Sequence, residues 1–165
     1  MPGPMPSKTH DHDTAGVITH PPLVYLGGLL PGLAADHLFA LPPLPGLAGD
    51  SGLYLGGVLG LAGVALVLVA AGLFVRAGTS VPPHRPSTAL VTGGLYRFSR
   101  NPIYVGATLC YLAVTAAFAS LGALILLPAV LAVMEFGVIR REECYLERKF
   151  GAAYRDYKSR VRRWL

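Results

Sequence analysis

A chain of 165 residues that is 53% hydrophobic, with a mean hydropathy of +0.51, suits one domain and is too apolar for an ordinary soluble one. Its 14% charged residues fall well below the roughly 25% of soluble domains. The net charge of +5 does not mark a nucleic-acid binder: all 14 Lys and Arg lie at Lys8, between Arg76 and Arg100, or after Ile139, which is the pattern of membrane topology.

Residues 1–22 read as a polar, disordered leader, unlike a cleavable signal, with His10, His12 and Asp13 in it rather than in a metal site. Residues 23–165 then form a single membrane domain. Leu23 to Leu41 is the weakest apolar segment, a kinked span or a re-entrant one, because it holds Pro31, Asp36 and His37. Leu53 to Val75 is the clearest: 23 residues without a charge, enough for the roughly 30 Å hydrocarbon core. Its Gly56-xxx-Gly60 spacing, with Gly63 and Gly72, admits a closely packed neighbour and permits a homodimer.

Pro102 to Ala119 and Leu121 to Ile139 are two further spans, joined by a turn near Ser120 and Gly122 that is too short for anything but an antiparallel hairpin. The expected fold is an all-α membrane protein of about four transmembrane helices plus a C-terminal amphipathic interfacial helix. The positive charges put the loop Arg76–Arg100 and the tail from Arg140 in the cytosol, and the loop Pro42–Gly52 and the Ser120 turn outside. The expected location is multi-pass, in a plasma membrane of bacterial type, with the active site on the cytosolic side. Cys110 in an apolar run and Cys144 at the cytosolic edge make neither a disulfide nor a metal motif.

After Ile139, Leu146, Phe150, Tyr154, Tyr157, Val161 and Leu165 recur at helical spacing. Nine Lys or Arg against four acids give this tail a net +5, so the stripe would lie on an anionic leaflet of membrane lipids with Trp164 near the headgroups. Gly151 should divide it in two.

Polar chemistry gathers at the two ends of the predicted hairpin. Asn101-Pro102 reads as an N-cap followed by Pro at the first helical position, so the partial positive end of a helix stands beside Arg97 and Arg100. Together they would hold a carboxylate; the plainer reading is that the arginines only touch lipid phosphates. Glu142 and Glu143 oppose the dipole of the helix they end, so local helix stability does not explain them. They would bind an ammonium group, or pair with Arg97 and Arg100. Glu135, seven residues before Glu142, would share its helix face, and an ionisable group at that depth is a functional candidate. Tyr96 and Tyr104 offer aromatic faces to a purine or a sulfonium, or else form an interfacial belt. Gly106 lets a ligand or a helix come close.

The stretch Arg100-Asn101-Pro102-Ile103-Tyr104-Val105-Gly106, then Glu142-Glu143, Phe150-Gly151 and Tyr154-Arg155-Asp156-Tyr157-Lys158-Ser159-Arg160-Val161, resembles the isoprenylcysteine carboxyl methyltransferase family and its relatives, the phospholipid N-methyltransferases. The likeness covers about Thr79 to Leu165. It implies an integral membrane methyltransferase using S-adenosylmethionine, with 77–101 as a cytosolic cofactor loop and 140–165 as a cytosolic tail capping it. By position Thr88, Ala89, Leu90 and Val91 would line the adenosine. Tyr96, Arg100, Asn101, Pro102, Ile103, Tyr104 and Gly106 would continue the pocket, and Glu142 or Glu143 would bind the ammonium. Asn101 stands where relatives commonly have His. Val138 or Ile139 stands where the carboxyl methyltransferases have a substrate-binding Arg.

Expected acceptors are an isoprenylcysteine-like carboxylate, a lipid amine or another small apolar nucleophile. An amine or thiol would need a base, for which Glu135 and Tyr104 are the candidates; a carboxylate would not. The competing readings are an NADPH-dependent membrane sterol or enone reductase and a non-catalytic membrane adaptor.

Overall fold

The computed structural model describes residues 15–79 and 87–165, so the leader's His10, His12 and Asp13 and part of the loop after Arg76 lie outside it. The described residues form helices and no strand: α1 (Pro21–Leu38), α2 (Asp50–Arg76), a 3-10 turn at Gly94–Arg97, α3 (Pro102–Ala117), α4 (Leu121–Val133), a π-helical turn at Met134–Ile139, α5 (Arg140–Phe150) and α6 (Ala152–Arg160). α4, the π turn and α5 run on as one helix of 30 residues, which with α2 is long and apolar enough to cross a membrane. α3 is apolar but has 16 residues, about 24 Å at 1.5 Å per residue.

Small residues decide which helices pair. A Cβ on Gly56 would meet the Ala113 carbonyl at 2.7 Å, and one on Gly106 would meet the Gly63 carbonyl at 2.8 Å, so α2 and α3 touch backbone to backbone. The glycine face of α2 is thus filled from within the chain. α3 occupies the side of α2 that carries Gly56 and Gly63, whereas a Cβ on Gly72 would meet nothing within 4 Å. α1 packs in the same way on α4, with Gly32 against Ala123 and Gly122.

The predicted α3–α4 hairpin exists as a connection, yet its arms pair mainly with α2 and α1 rather than with each other. The bundle is therefore two tight pairs with room between them. Asp36 has a local task here. It accepts from the Gly122 amide at 2.8 Å and from the Ser120 hydroxyl, while Ser120 Oγ accepts from Ala123 N at 3.0 Å. A residue from α1 so braces the cap of α4. His37 is exposed.

Leu44 N donates to the Ala119 carbonyl at 2.8 Å, which ties the α1–α2 loop to the α3–α4 turn at one end of the bundle. At the other end, Arg100 N donates to the Arg162 carbonyl at 2.9 Å, and Tyr157 Oη to the Tyr96 carbonyl at 2.8 Å. Gly151, at φ +54, separates α5 from α6, as the sequence suggested, and α6 doubles back.

Most of the tail's apolar stripe packs on the protein itself, Leu165 excepted. Tyr154 and Tyr157 are buried with Ala70 and Tyr96, and Leu146, Phe150 and Val161 pack around them. Trp164 packs beside the cluster of Tyr104, Met134 and Val138, and its indole N–H reaches Glu135 Oε2 at 3.3 Å. Amphipathic spacing specifies an apolar neighbour without specifying which one.

Candidate active site

The returning tail covers a partly open cavity at this end of the bundle. One wall is the loop after α2, where Ala89, Leu90 and Val91 line it beside Ser87. The 3-10 turn adds Tyr96, whose ring meets Phe74 edge-on at 5.2 Å between centroids. The start of α3 gives Arg100, Asn101, Ile103 and Tyr104; α5 gives Glu142, Glu143, Tyr145 and Leu146; α6 covers it with Tyr154 and Tyr157. The two polar groups predicted at opposite ends of the hairpin thus face one space.

Charges on its wall are held in different ways. Glu143 is clamped by Arg163, whose Nε donates to Oε1 at 2.9 Å and whose Nη2 donates to Oε2 at 2.8 Å. Arg163 also pairs with Glu135, which Arg140 Nε meets at 3.0 Å. Arg100 Nη1 lies 3.0 Å from Glu143 Oε1, but off the angle of a hydrogen bond. Its Nε and Nη1 are buried without a hydrogen-bond partner. A buried guanidinium with idle N–H groups on a cavity wall is costly unless a ligand satisfies it. Glu142 accepts from the Tyr104 hydroxyl at 2.6 Å. Burial, with the charge of Glu143 adding and Arg100 opposing, pushes Tyr154 up to about 12, so its hydroxyl keeps its proton near neutral pH.

Several expected residues stand elsewhere. Thr88 turns from the cavity, its N–H donating to Thr79 Oγ1 at 2.9 Å and its hydroxyl to the Gly78 carbonyl at 2.9 Å. Pro102 is buried off the wall, and Gly106 faces α2. Asn101 occupies the N-cap position but does not cap with its side chain; Nδ2 donates to the Arg163 carbonyl at 3.0 Å. Arg97 is exposed and off the cavity wall, which Arg100 lines without it.

Glu135 does not share the face of Glu142. The π turn at Met134–Ile139 inserts one residue, so Glu135 aligns with Glu143, eight positions on, and the two share Arg163. Glu135 is off the cavity wall, and Glu142 is rotated onto it. Phe74, Ala15, Ser87 and Tyr145 line the wall without having been anticipated; Leu146, Tyr154 and Tyr157 belonged to the tail pattern but had no assigned place. The helical spacing of those tyrosines was the available signal.

Tyr104 and Ile103 also line a second space, a large apolar groove between α1 and α3. Its wall includes His20, Leu26, Leu29, Val67, Ala107, Cys110 and Val114. The tyrosine hydroxyls beside it are engaged: Tyr25 donates to the Tyr104 carbonyl at 3.1 Å, and Tyr111 to the Ala123 carbonyl at 2.7 Å. The cavity that holds the charged groups and the apolar groove therefore meet at two side chains, Ile103 and Tyr104.

A family model described as phospholipid methyltransferase matches residues 52–153, well over half of the chain. A curated protein of Haemophilus influenzae (strain ATCC 51907 / DSM 11121 / KW20 / Rd), described as an uncharacterized protein, is 70% identical over 27 residues, 16% of this chain and 43% of that one. The chain thus matches less than half the length of that relative. No solved structure matches.

Proposed function

The chain belongs to the phospholipid methyltransferase family, and from that premise we propose that it moves a methyl group from S-adenosylmethionine to a lipophilic acceptor. The observation that carries this is the pair of idle, buried Arg100 nitrogens on a wall that also holds Glu142. A free amino acid end has a carboxylate and an ammonium, and these two side chains complement them. The residues fit the group: Arg100 would take the carboxylate, Glu142 the ammonium, and Phe74, Leu90, Val91 and Tyr96 the adenosine. When bound, the donor supplies a methyl group on a cationic sulfur.

The chain's own part is alignment at the border of the two spaces, where most of the rate in a direct displacement is gained. The apolar groove would hold the acceptor's hydrocarbon body, with its reacting atom beside Tyr104. For an amine or a thiol, the Tyr104 hydroxyl would pass the released proton to Glu142 Oε1. Glu135, bound by Arg163, Arg140 and Trp164, is left a structural part. Among the described residues no Lys or Arg lines the groove, so an acceptor carboxylate would find no counter-charge from them and would face Glu142. A lipid amine or other neutral nucleophile suits it better.

Calorimetry on detergent-solubilised protein should give heat of binding with S-adenosylmethionine and none with NADPH. The reverse result would make it a reductase, and silence with both would leave an adaptor. Membranes incubated with methyl-labelled donor should carry label in the lipid fraction.

We propose a multi-pass topology in which α1, α2, α3 and the long helix from Leu121 all cross, in a bacterial-type plasma membrane, with the donor cavity cytosolic. Arg76, Arg97, Arg100 and the tail's basic residues gather at the donor end, as cytosolic placement requires. Phe98 and Phe118 are exposed at opposite ends and make suitable probes. In a background with Cys110 and Cys144 replaced by Ser, Phe98→Cys should react with an impermeant maleimide only from the cytosolic side and Phe118→Cys only from the other. Labelling of both from one side would refute the topology.

A further inference from the structure

Arg163 lies at the end of the tail, off the donor cavity's wall, yet it makes the most contacts to acids near it. It takes both oxygens of Glu143, at 2.9 and 2.8 Å, and an oxygen of Glu135. Arg100 reaches the same Glu143 at 3.0 Å without completing a hydrogen bond, and its side chain is 9% exposed against 28% for Arg163. The cluster holds three guanidinium groups, of Arg163, Arg140 and Arg100, against the carboxylates of Glu135 and Glu143. One positive charge is left over. The most buried of the three, Arg100, is the one that faces the cavity.

We propose that Arg163 is a positioning residue for donor binding: by occupying both oxygens of Glu143, it keeps the Arg100 guanidinium available to a ligand carboxylate. Without Arg163, Arg140 still pairs with Glu135, and Glu143 has Arg100 as its nearest cation. The two then close on each other, and the site for a carboxylate is lost. The tail braces the loop through its own backbone carbonyls, Arg162 O accepting from Arg100 N and Arg163 O from Asn101 Nδ2, so the brace survives truncation of the Arg163 side chain. This rests on the donor-cavity reading above and adds to it how the cavity's cation is kept free.

The test compares two ligands on detergent-solubilised protein. S-adenosylmethionine carries the amino acid end, and 5′-methylthioadenosine lacks it. Arg163→Ala should weaken the first roughly tenfold or more, and leave the second nearly unchanged. Adding Glu143→Gln to Arg163→Ala removes the competing carboxylate and should restore most of the lost affinity, a recovery that a merely structural role does not give. Arg163→Lys, which keeps the charge but not the two-point grip, should fall between and serves if the alanine variant does not survive purification. Equal weakening of both ligands, unchanged donor affinity, or no recovery in the double variant would overturn the inference. Wild-type protein that binds neither ligand would overturn the donor-cavity reading itself, and this inference with it.

Discussion

Arg100→Ala should raise the dissociation constant for S-adenosylmethionine roughly tenfold to 100-fold, because hydrogen bonds to charged groups contribute about 1.5–3 kcal/mol and 1.4 kcal/mol is a factor of ten. The loss should be large because Arg100 is buried and its Nε and Nη1 make no hydrogen bond within the protein. An arriving carboxylate would meet those two unused N–H groups while competing with the Glu143 carboxylate 3.0 Å from Nη1. Glu142→Gln should cost about tenfold as well, since the amide keeps a hydrogen bond with Tyr104 but offers no charge to an ammonium. Glu143, in contrast, is held on both oxygens by Arg163, so its carboxylate is a support of the site more than a ligand contact. Titration calorimetry of the two single variants checks this, with thermal unfolding as the control for folding. Donor affinity left as in the wild type by both substitutions would mean the amino acid end is not bound here.

Much of that site was legible because it depends on local chemistry and on one long-range contact. Asn101-Pro102 marks where α3 begins, the uncharged turn near Ser120 forces the chain back, and Glu142 then returns to the level of Arg100. Neither step requires knowing how the helices pack. Packing is where the reading failed. Gly106 has the same appearance in a sequence whether a ligand or another helix lies above it, and here it is Gly63 of α2. The amide of Asn101 suits a helix cap, yet a carbonyl of the returning tail takes it.

The displacement of Glu135 has a sharper cause. A repeat of seven places two residues on one face only while the helix keeps 3.6 residues per turn. Residues 134–139 do not keep it, and nothing in Met134-Glu135-Phe136-Gly137-Val138-Ile139 announces a wider turn. A tertiary contact accompanies it: the Gly137 carbonyl accepts from Ile18 N at 3.2 Å, a bond to a segment more than a hundred residues earlier. The same segment brings Ala15 to the cavity wall. Apolar residues distant in sequence, such as Ala15 and Phe74, carry no local mark of a site, and only the coordinates could bring them in.

Filling the groove should separate the two halves of the reaction. Ala107 lies one helical turn beyond Ile103 on α3, on the wall of the apolar groove and off the wall of the donor cavity. Ala107→Trp should place an indole where the acceptor's body would lie, next to the border at Tyr104. Because the groove is open space rather than packed core, the added ring need not displace backbone, unlike a Cβ on Gly106, which would meet the Gly63 carbonyl at 2.8 Å. Methyl transfer to lipid should fall roughly 100-fold or more, the scale on which a misplaced reacting atom slows an aligned displacement. Donor affinity should stay within about twofold, well under the tenfold that 1.4 kcal/mol represents. That split, transfer lost with the donor still bound, is what a groove serving only the acceptor requires. Retained transfer in Ala107→Trp would mean the acceptor reaches Tyr104 by another route, and loss of donor binding would mean the two spaces are not independent.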